Sequence, residues 1–314
     1  MIRGSKLLLM TSRTLVSNVT PGLLVQIGLI VFFFGVGVYY LVDRKQSFTV
    51  QASTQSVTVK ITDGPNNVWS LGRAILCLRN GERILQDKKD QRQCDPDYYT
   101  EHVAVIEDLE WPVGTVLMVS GYNELLLSVE INVSTAVKPL YFNEVEITDQ
   151  SVLFFERSAL HDQGSFALSG IVKLGQPAEA GGARLLRSGH YEIREYLGLT
   201  SGSSVVSTGM LLTGDYAELT DRSRVGIPTS LFLTESNVTL ADFDVILTSP
   251  PESSMLVIKR IGSEVAEIRP KWTDRLVNDA LPLAVSILLG LFGASLGIVK
   301  NLFSSNSRPK NSGE

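Results

Sequence analysis

Ser56-Val57-Thr58-Val59-Lys60-Ile61-Thr62 alternates branched apolar residues with polar ones, then breaks on Asp63-Gly64-Pro65-Asn66-Asn67. Apolar residues at every second position have the period of a strand with one buried face, and the Gly-Pro-Asn cluster is turn chemistry. Runs of the same kind recur at 115–120, 125–134, 140–148, 151–157, 165–174, 210–220, 230–234, 238–249, 255–261 and 264–268. Gly121-Tyr122-Asn123, Gly181-Gly182 and Pro250-Pro251 punctuate them. Short strands separated by such turns predict a mainly β region of sandwich or barrel type, in one or two domains, rather than a βαβ sheet. Two segments, 98–109 and 191–197, read as candidate short helices. A change of composition near Asp149-Gln150 divides a 46–149 portion from a 150–270 portion richer in Gly and Ser.

Outward from this region the composition changes sharply. Residues 14–42 contain no charged side chain, and 280–299 read ALPLAVSILLGLFGASLGIV, again without charge. A helix rises about 1.5 Å per residue, so about 20 apolar residues cross a hydrocarbon core of about 30 Å. The sequence therefore predicts two transmembrane α-helices flanking the β region, at 22–42 and within 271–299, the latter entered through a juxtamembrane segment. The first run is longer than the 7–15 residues typical of a signal-peptide core, and no small-residue cleavage pattern follows it. Tyr39 and Tyr40 precede charges at its end, and Trp272 precedes the second run, matching an interfacial aromatic belt. Gly293 and Gly297 form a G-x-x-x-G pattern, and Ser286, Gly290 and Ala294 repeat at four-residue steps. Small residues at this spacing let membrane helices pack closely.

Orientation follows from charge and cysteines. Arg3, Lys6, Arg13, Lys300, Arg308 and Lys310 lie on one side, against Arg44, Lys45, Arg269, Lys271 and Arg275 on the other. Six against five weakly favours cytoplasmic tails at 1–21 and 300–314. Cys77 and Cys94, the only cysteines, flank the turn-like Arg79-Asn80-Gly81-Glu82. An even pair at short spacing fits a disulfide in an oxidising compartment. The expectation is a two-pass protein of the cell (inner) membrane, with both termini cytoplasmic and its large domain periplasmic or extracellular.

Residues 46–279 hold 31 acidic side chains against 20 basic ones, a net charge of −11. No basic stripe with interleaved aromatics is present, which argues against nucleic acid as a partner. His102, His161 and His190 are isolated, and neither H-E-x-x-H nor C-x-x-C occurs, so no metal or cofactor is expected. Asp95 and Asp97 read as a solvated loop.

One constellation carries possible chemistry. Ser207-Thr208-Gly209-Met210 precedes Gly214-Asp215-Tyr216, followed later by Val257-Ile258-Lys259-Arg260-Ile261-Gly262. This order resembles that of the type I signal peptidases, which join a membrane anchor to an exported β-rich catalytic domain. The resemblance implies Ser207 as nucleophile and Lys259 as general base, the lysine neutral through burial. The chain departs from that pattern: Thr208-Gly209 separates Ser207 from Met210, and no Gly-Asp-Asn segment follows Lys259. In layout alone, one membrane helix at each end, the chain is similar to the polysaccharide co-polymerases. The strings Gly170-Ile171-Val172-Lys173-Leu174-Gly175 and Arg187-Ser188-Gly189-His190-Tyr191-Glu192-Ile193 faintly resemble β-grasp modules of polysaccharide export proteins. That layout implies a glycan-binding or chain-length module. The reading adopted from the sequence is a non-catalytic subunit or scaffold of an envelope assembly, its partners being the lipid bilayer and further copies or other membrane subunits.

Overall fold

The computed structural model describes residues 45–65, 67–79, 94–162, 166–176, 185–196, 203–236, 242–251, 254–260 and 264–269, together with Gly290 and Gly293. Apart from Gly290 and Gly293, the predicted membrane helices lie outside the described residues, as do the tails and the belt residues Tyr39, Tyr40 and Trp272. Among the described residues no helix is long and apolar enough to cross a membrane.

The region Lys45–Asn278 forms one unit, mainly β. In chain order its elements are β1 (Lys45–Thr54), β2 (Ser56–Ile61), β3 (Val68–Trp69), β4 (Gly72–Arg79), β5 (Tyr99–Ile106), β6 (Leu109–Glu110) and β7 (Val116–Gly121). Then come β8 (Leu126–Asn132), β9 (Tyr141–Phe142), β10 (Val145–Glu146), β11 (Ser151–Glu156), α1 (Ser158–Asp162), β12 (Phe166–Leu174) and β13 (Leu186–Tyr196). The last six are β14 (Ser203–Leu211), β15 (Tyr216–Thr220), β16 (Pro228–Glu235), β17 (Phe243–Thr248), β18 (Met255–Lys259) and β19 (Ala266–Ile268).

Fifteen strands share one antiparallel sheet, with the main path β14-β13-β1-β17-β16-β12-β2-β7-β8-β11-β4-β5. β1 and β2 are successive halves of one chain segment that turns at Gln55, where Gln55 N–H donates to Leu185 O and Gly121 N–H donates to Gln55 O. The stretch β1-β17-β16-β12-β2 therefore begins and ends on the same segment. β15, β18 and β19 branch from the far end of β12. The sheet runs through the composition change at Asp149-Gln150: β11, which follows it, pairs with β8 and β4, which precede it.

Alternation creates the core. In β12, Phe166, Leu168, Val172 and Leu174 are buried, while Ala167, Ser169 and Ile171 are half-buried and Lys173 is exposed. Phe48, Val50, Val57, Val59, Leu117, Val119, Leu231, Leu233 and Val245 face inward the same way, joining one continuous apolar cluster. Each such side chain contributes about 1.5–3 kcal/mol when fully buried. Trp69 lies at the centre, stacked on Phe166 at 5.0 Å and edge-on to Trp111 at 5.3 Å. Its Nε1–H donates to Ala167 O at 3.1 Å, satisfying the one polar group a buried indole carries.

Both candidate helices prove to be strands, and the 210–220 run divides between β14 and β15. Within 98–109, residues 99–106 form β5, and 191–196 belong to β13. In β13, Ile193 and Glu195 point inward while Arg194 and Tyr196 point out, and the strand is paired on both sides by β1 and β14. Sheet pairing overrides a weak local helical preference.

Candidate functional site

The antiparallel pairing of β15 with β18 sets Tyr216 opposite Lys259. It brings together two of the motifs singled out in the sequence, Gly214-Asp215-Tyr216 and Lys259-Arg260. Arg260 Nε donates to Asp215 Oδ1 at 2.8 Å and its Nη2 to Oδ2 at 2.9 Å, a two-pronged guanidinium–carboxylate contact. Leu212 N–H donates to Oδ2 at 2.8 Å. Gly214, with φ of +84°, lets the chain turn back so that this amide reaches the carboxylate. Asp215 is fully buried, while 46% of the Arg260 side chain is exposed. Burial pushes the Asp215 carboxyl up, but the bonds from Arg260 and Leu212 outweigh it and hold the carboxyl below its ordinary value.

Beside this pair, Tyr216 Oη donates to Glu218 Oε2 at 2.7 Å, and Lys259 Nζ lies 5.2 Å from the centre of the Tyr216 ring. Burial, then the bond to Glu218, raises the Tyr216 phenol far above its ordinary value, so it stays protonated. Lys173 Nζ approaches Glu218 at 4.0 Å from the neighbouring strand. The cluster is thus an alternating set of cations, carboxylates and a phenol in which each group has a partner on an adjacent strand.

Ser207 and Lys259 are placed on different branches of the sheet. Ser207 is half-buried on β14 and opposes Ile193 of β13. Lys259 is exposed at the end of β18, where it meets the face of Tyr216.

Cys77 and Cys94 are bonded, with their Cα atoms 5.4 Å apart. The disulfide lies on the face of β4 opposite the main core, in a small cluster with Phe154, Ile75, Tyr99 and Val152. Tyr122 caps it, its ring 4.9 Å from that of Phe154. The same face carries a groove of about 570 Å³, bordered by Thr58, Met118, Glu130, Val152 and Tyr99. Thr58, Met118, Glu130 and Val152 form one cross-strand row through β2, β7, β8 and β11.

A further ionic group was not foreseen from sequence. Arg157, 6% exposed, donates from Nη1 to Asp242 O at 2.8 Å and from Nε to Asn123 O at 3.1 Å. The fully buried Asp242 carboxylate lies 3.6 Å from Arg187 Nε. Burial lowers the Arg157 pKa, offset in part by the Asp242 charge. Arg157 follows Glu156 at the end of β11, and a charged pair after such an apolar run reads as a solvated strand end. Only the fold brings the segment before β17 over it.

The other sequence candidates are scattered. His102 is half-buried on β5, and His190 is exposed on β13 opposite Gln51 and Met210. Asp95 Oδ1 accepts from Asp97 N–H at 3.0 Å, a local turn. Among the described residues no three His, Cys, Asp or Glu side chains gather as a metal site. Gly290 and Gly293 are helical and exposed, whereas Ser286, Ala294 and Gly297 lie outside the described residues. No family model, no curated protein and no solved structure matches this chain.

Proposed function

We propose that this chain is a two-pass membrane protein whose acidic β-rich domain acts outside the cytoplasm as a non-catalytic subunit or scaffold of an envelope assembly. The observation that carries this reading is a disulfide-bonded β unit between two charge-free runs of membrane-spanning length. The small-residue seam around Gly290 and Gly293 supports a packed helical partner. The paired side chains of the β15–β18 cluster support a structural role there, because the Asp215 carboxylate is taken up by two bonds from Arg260 and one from Leu212 N–H.

Topology and assembly are tested on the full chain. Both native cysteines are bonded, so single added cysteines report cleanly. In intact cells, Ser203→Cys should react with a membrane-impermeant maleimide, while Ser5→Cys and Ser307→Cys should react only after lysis. The reverse pattern would overturn the orientation. In detergent the chain should run as an oligomer that Gly293→Leu shifts towards smaller species. A monomer in native mass measurements would overturn the assembly reading.

A further inference from the structure

The chain enters and leaves the β unit at one rim. Near the start of β1, Phe48 N–H donates to Ser249 Oγ at 2.8 Å, and Ser249 N–H donates to Phe48 O at 2.9 Å. The Ser249 hydroxyl lies 3.3 Å from that of Ser254, which leads into β18. Arg269, just past β19, places Nε 3.0 Å from the sulfur of Met255. Phe48 and Arg269 are therefore joined through Ser249, Ser254 and Met255. The turn from β15 to β16 belongs to the same rim: Thr220 opposes Met255, and Arg224 donates from Nε and Nη2 to Glu267 Oε1 at 3.0 and 2.7 Å.

That turn projects basic and apolar side chains together. The Asp221 carboxylate accepts from Ser223 N–H at 2.8 Å and Val225 N–H at 2.9 Å, which fixes the loop. Arg224 holds a φ of +63°, a conformation that glycine adopts without strain. A long basic residue kept in that conformation points to a use for its side chain. Arg222, Ser223 and Arg224 are exposed, and Val225 is 60% exposed. Lys45 and Arg222 have no acidic partner among the described residues, while Glu267 is shared by Arg224 and Arg269. Tyr196, opposite Lys45 on β13, is 38% exposed.

We propose that this rim rests on anionic lipid headgroups, with Lys45, Arg222, Arg224 and Arg269 meeting phosphate and with Val225 and Tyr196 at headgroup level. This deepens the membrane reading above and rests on it. Chain length places the surface. Asp43 and Arg44 alone separate Lys45 from Val42, the last residue of the first charge-free run, and three residues extend at most about 11 Å. Charge selects the lipid. A domain of net charge −11 is repelled by an anionic surface except where cations outnumber free carboxylates, so this rim is the side it can present. Arginine matches phosphate with two parallel donors, and juxtamembrane cations and interfacial tyrosine suit the same layer.

The test uses the full chain in lipid nanodiscs, with a fluorophore at Ser223→Cys on the turn or at Leu212→Cys, where the chain enters the other end of β15, and a quencher carried on the lipid headgroup. In discs of mixed phosphatidylcholine and phosphatidylglycerol, quenching at Ser223→Cys should exceed that at Leu212→Cys several-fold. Adding Arg222→Glu, at an exposed position, should cut the Ser223→Cys quenching by at least half. Equal quenching at the two positions would overturn the lipid contact while leaving the membrane reading in place. Undiminished quenching at Ser223→Cys in phosphatidylcholine alone would overturn the anionic-lipid assignment. A chain that does not enter the discs would overturn both readings.

Discussion

Arg157 Nη1 donates to the backbone oxygen of Asp242 at 2.8 Å, joining residues 85 positions apart in the chain. The same guanidinium reaches Asn123 O, and Arg157 N–H donates to Leu125 O. One buried side chain thus fastens the turn between β7 and β8 to the segment leading into β17. These lie on opposite sides of the turn at Gln55, so Arg157 ties together the two sets of strands that share the β1–β2 segment.

Removing it should be costly. Arg157→Met leaves the Asp242 and Asn123 carbonyls without their donor and takes a cation away from a buried carboxylate. Loss of one partner from a buried ionic group costs about 3–5 kcal/mol, and the urea midpoint should fall accordingly. Arg157→Lys should recover little, because an ammonium cannot serve both carbonyls with the planar fork of a guanidinium. Full recovery by lysine would show that only the charge matters.

Asp215 gives the domain an acid limb of defined sign. Its carboxyl is held low in the fold, against about 3.9 in an unfolded chain. The stabilisation is therefore present above about pH 4 and is lost as pH falls through the folded value. Arg260→Ala should reverse the sign. Burial, the largest influence on Asp215, then dominates over the remaining Leu212 bond and raises the folded pKa above the unfolded one. That variant should gain stability on acidification through the region where its carboxylate protonates. Thermal midpoints between pH 3 and 7 decide it, and parallel curves for wild type and Arg260→Ala would refute the account.

How much was legible depended on where each partner sits. The run Ser56–Thr62 announced β2 because its own alternation encodes a buried face, and 151–157 and 165–174 announced β11 and β12 for the same reason. The run at 210–220 reads as one strand, yet the chain turns at Leu212–Asp215, where Gly214 takes a positive φ and the Asp215 carboxylate caps Leu212. β1 and β4 lack a clean alternation: serine and threonine interrupt β1, and β4 carries the unbroken run Ala74–Leu78, whose side chains pack on both faces of the sheet. Asp215 and Arg260 both stand in motifs that the sequence marks, but a 45-residue separation carries no local signal of their bond. Arg157 and Asp242 were invisible for the same reason.

The disulfide offers a test of the face away from the main core. Cys77 belongs to β4, and Cys94 shortly precedes β5 across a 17-residue separation. Closing a loop of that length restricts the unfolded chain by roughly 3 kcal/mol on the entropy model. Cys77→Ala with Cys94→Ala should lower stability by about that amount and should destabilise less than the double serine variant. The reason is that both sulfurs lie among Phe154, Ile75 and Tyr99, where an unpaired hydroxyl costs a further 1–3 kcal/mol or so. Urea unfolding of the two variants, with and without reductant, measures both effects. No change on removing the bond would mean that the 78–93 loop does not restrict the unfolded chain.

Gly72 and Gly114 separate backbone strain from collision. Both hold positive φ, +61° and +91°, a region that costs an ordinary residue about 1–2 kcal/mol. Among the described residues a Cβ at Gly72 meets nothing within 4 Å, so Gly72→Ala should cost only that amount. At Gly114 the added carbon would collide with the Thr135 backbone oxygen, whose residue donates its hydroxyl to Gly114 O. Gly114 N–H also donates to Ile61 O at 2.9 Å, holding the turn before β7 against the end of β2. Gly114→Ala must therefore displace the 133–137 turn and should cost about 3 kcal/mol or more. Equal losses in the two variants, read from unfolding midpoints, would show that backbone conformation alone accounts for both glycines.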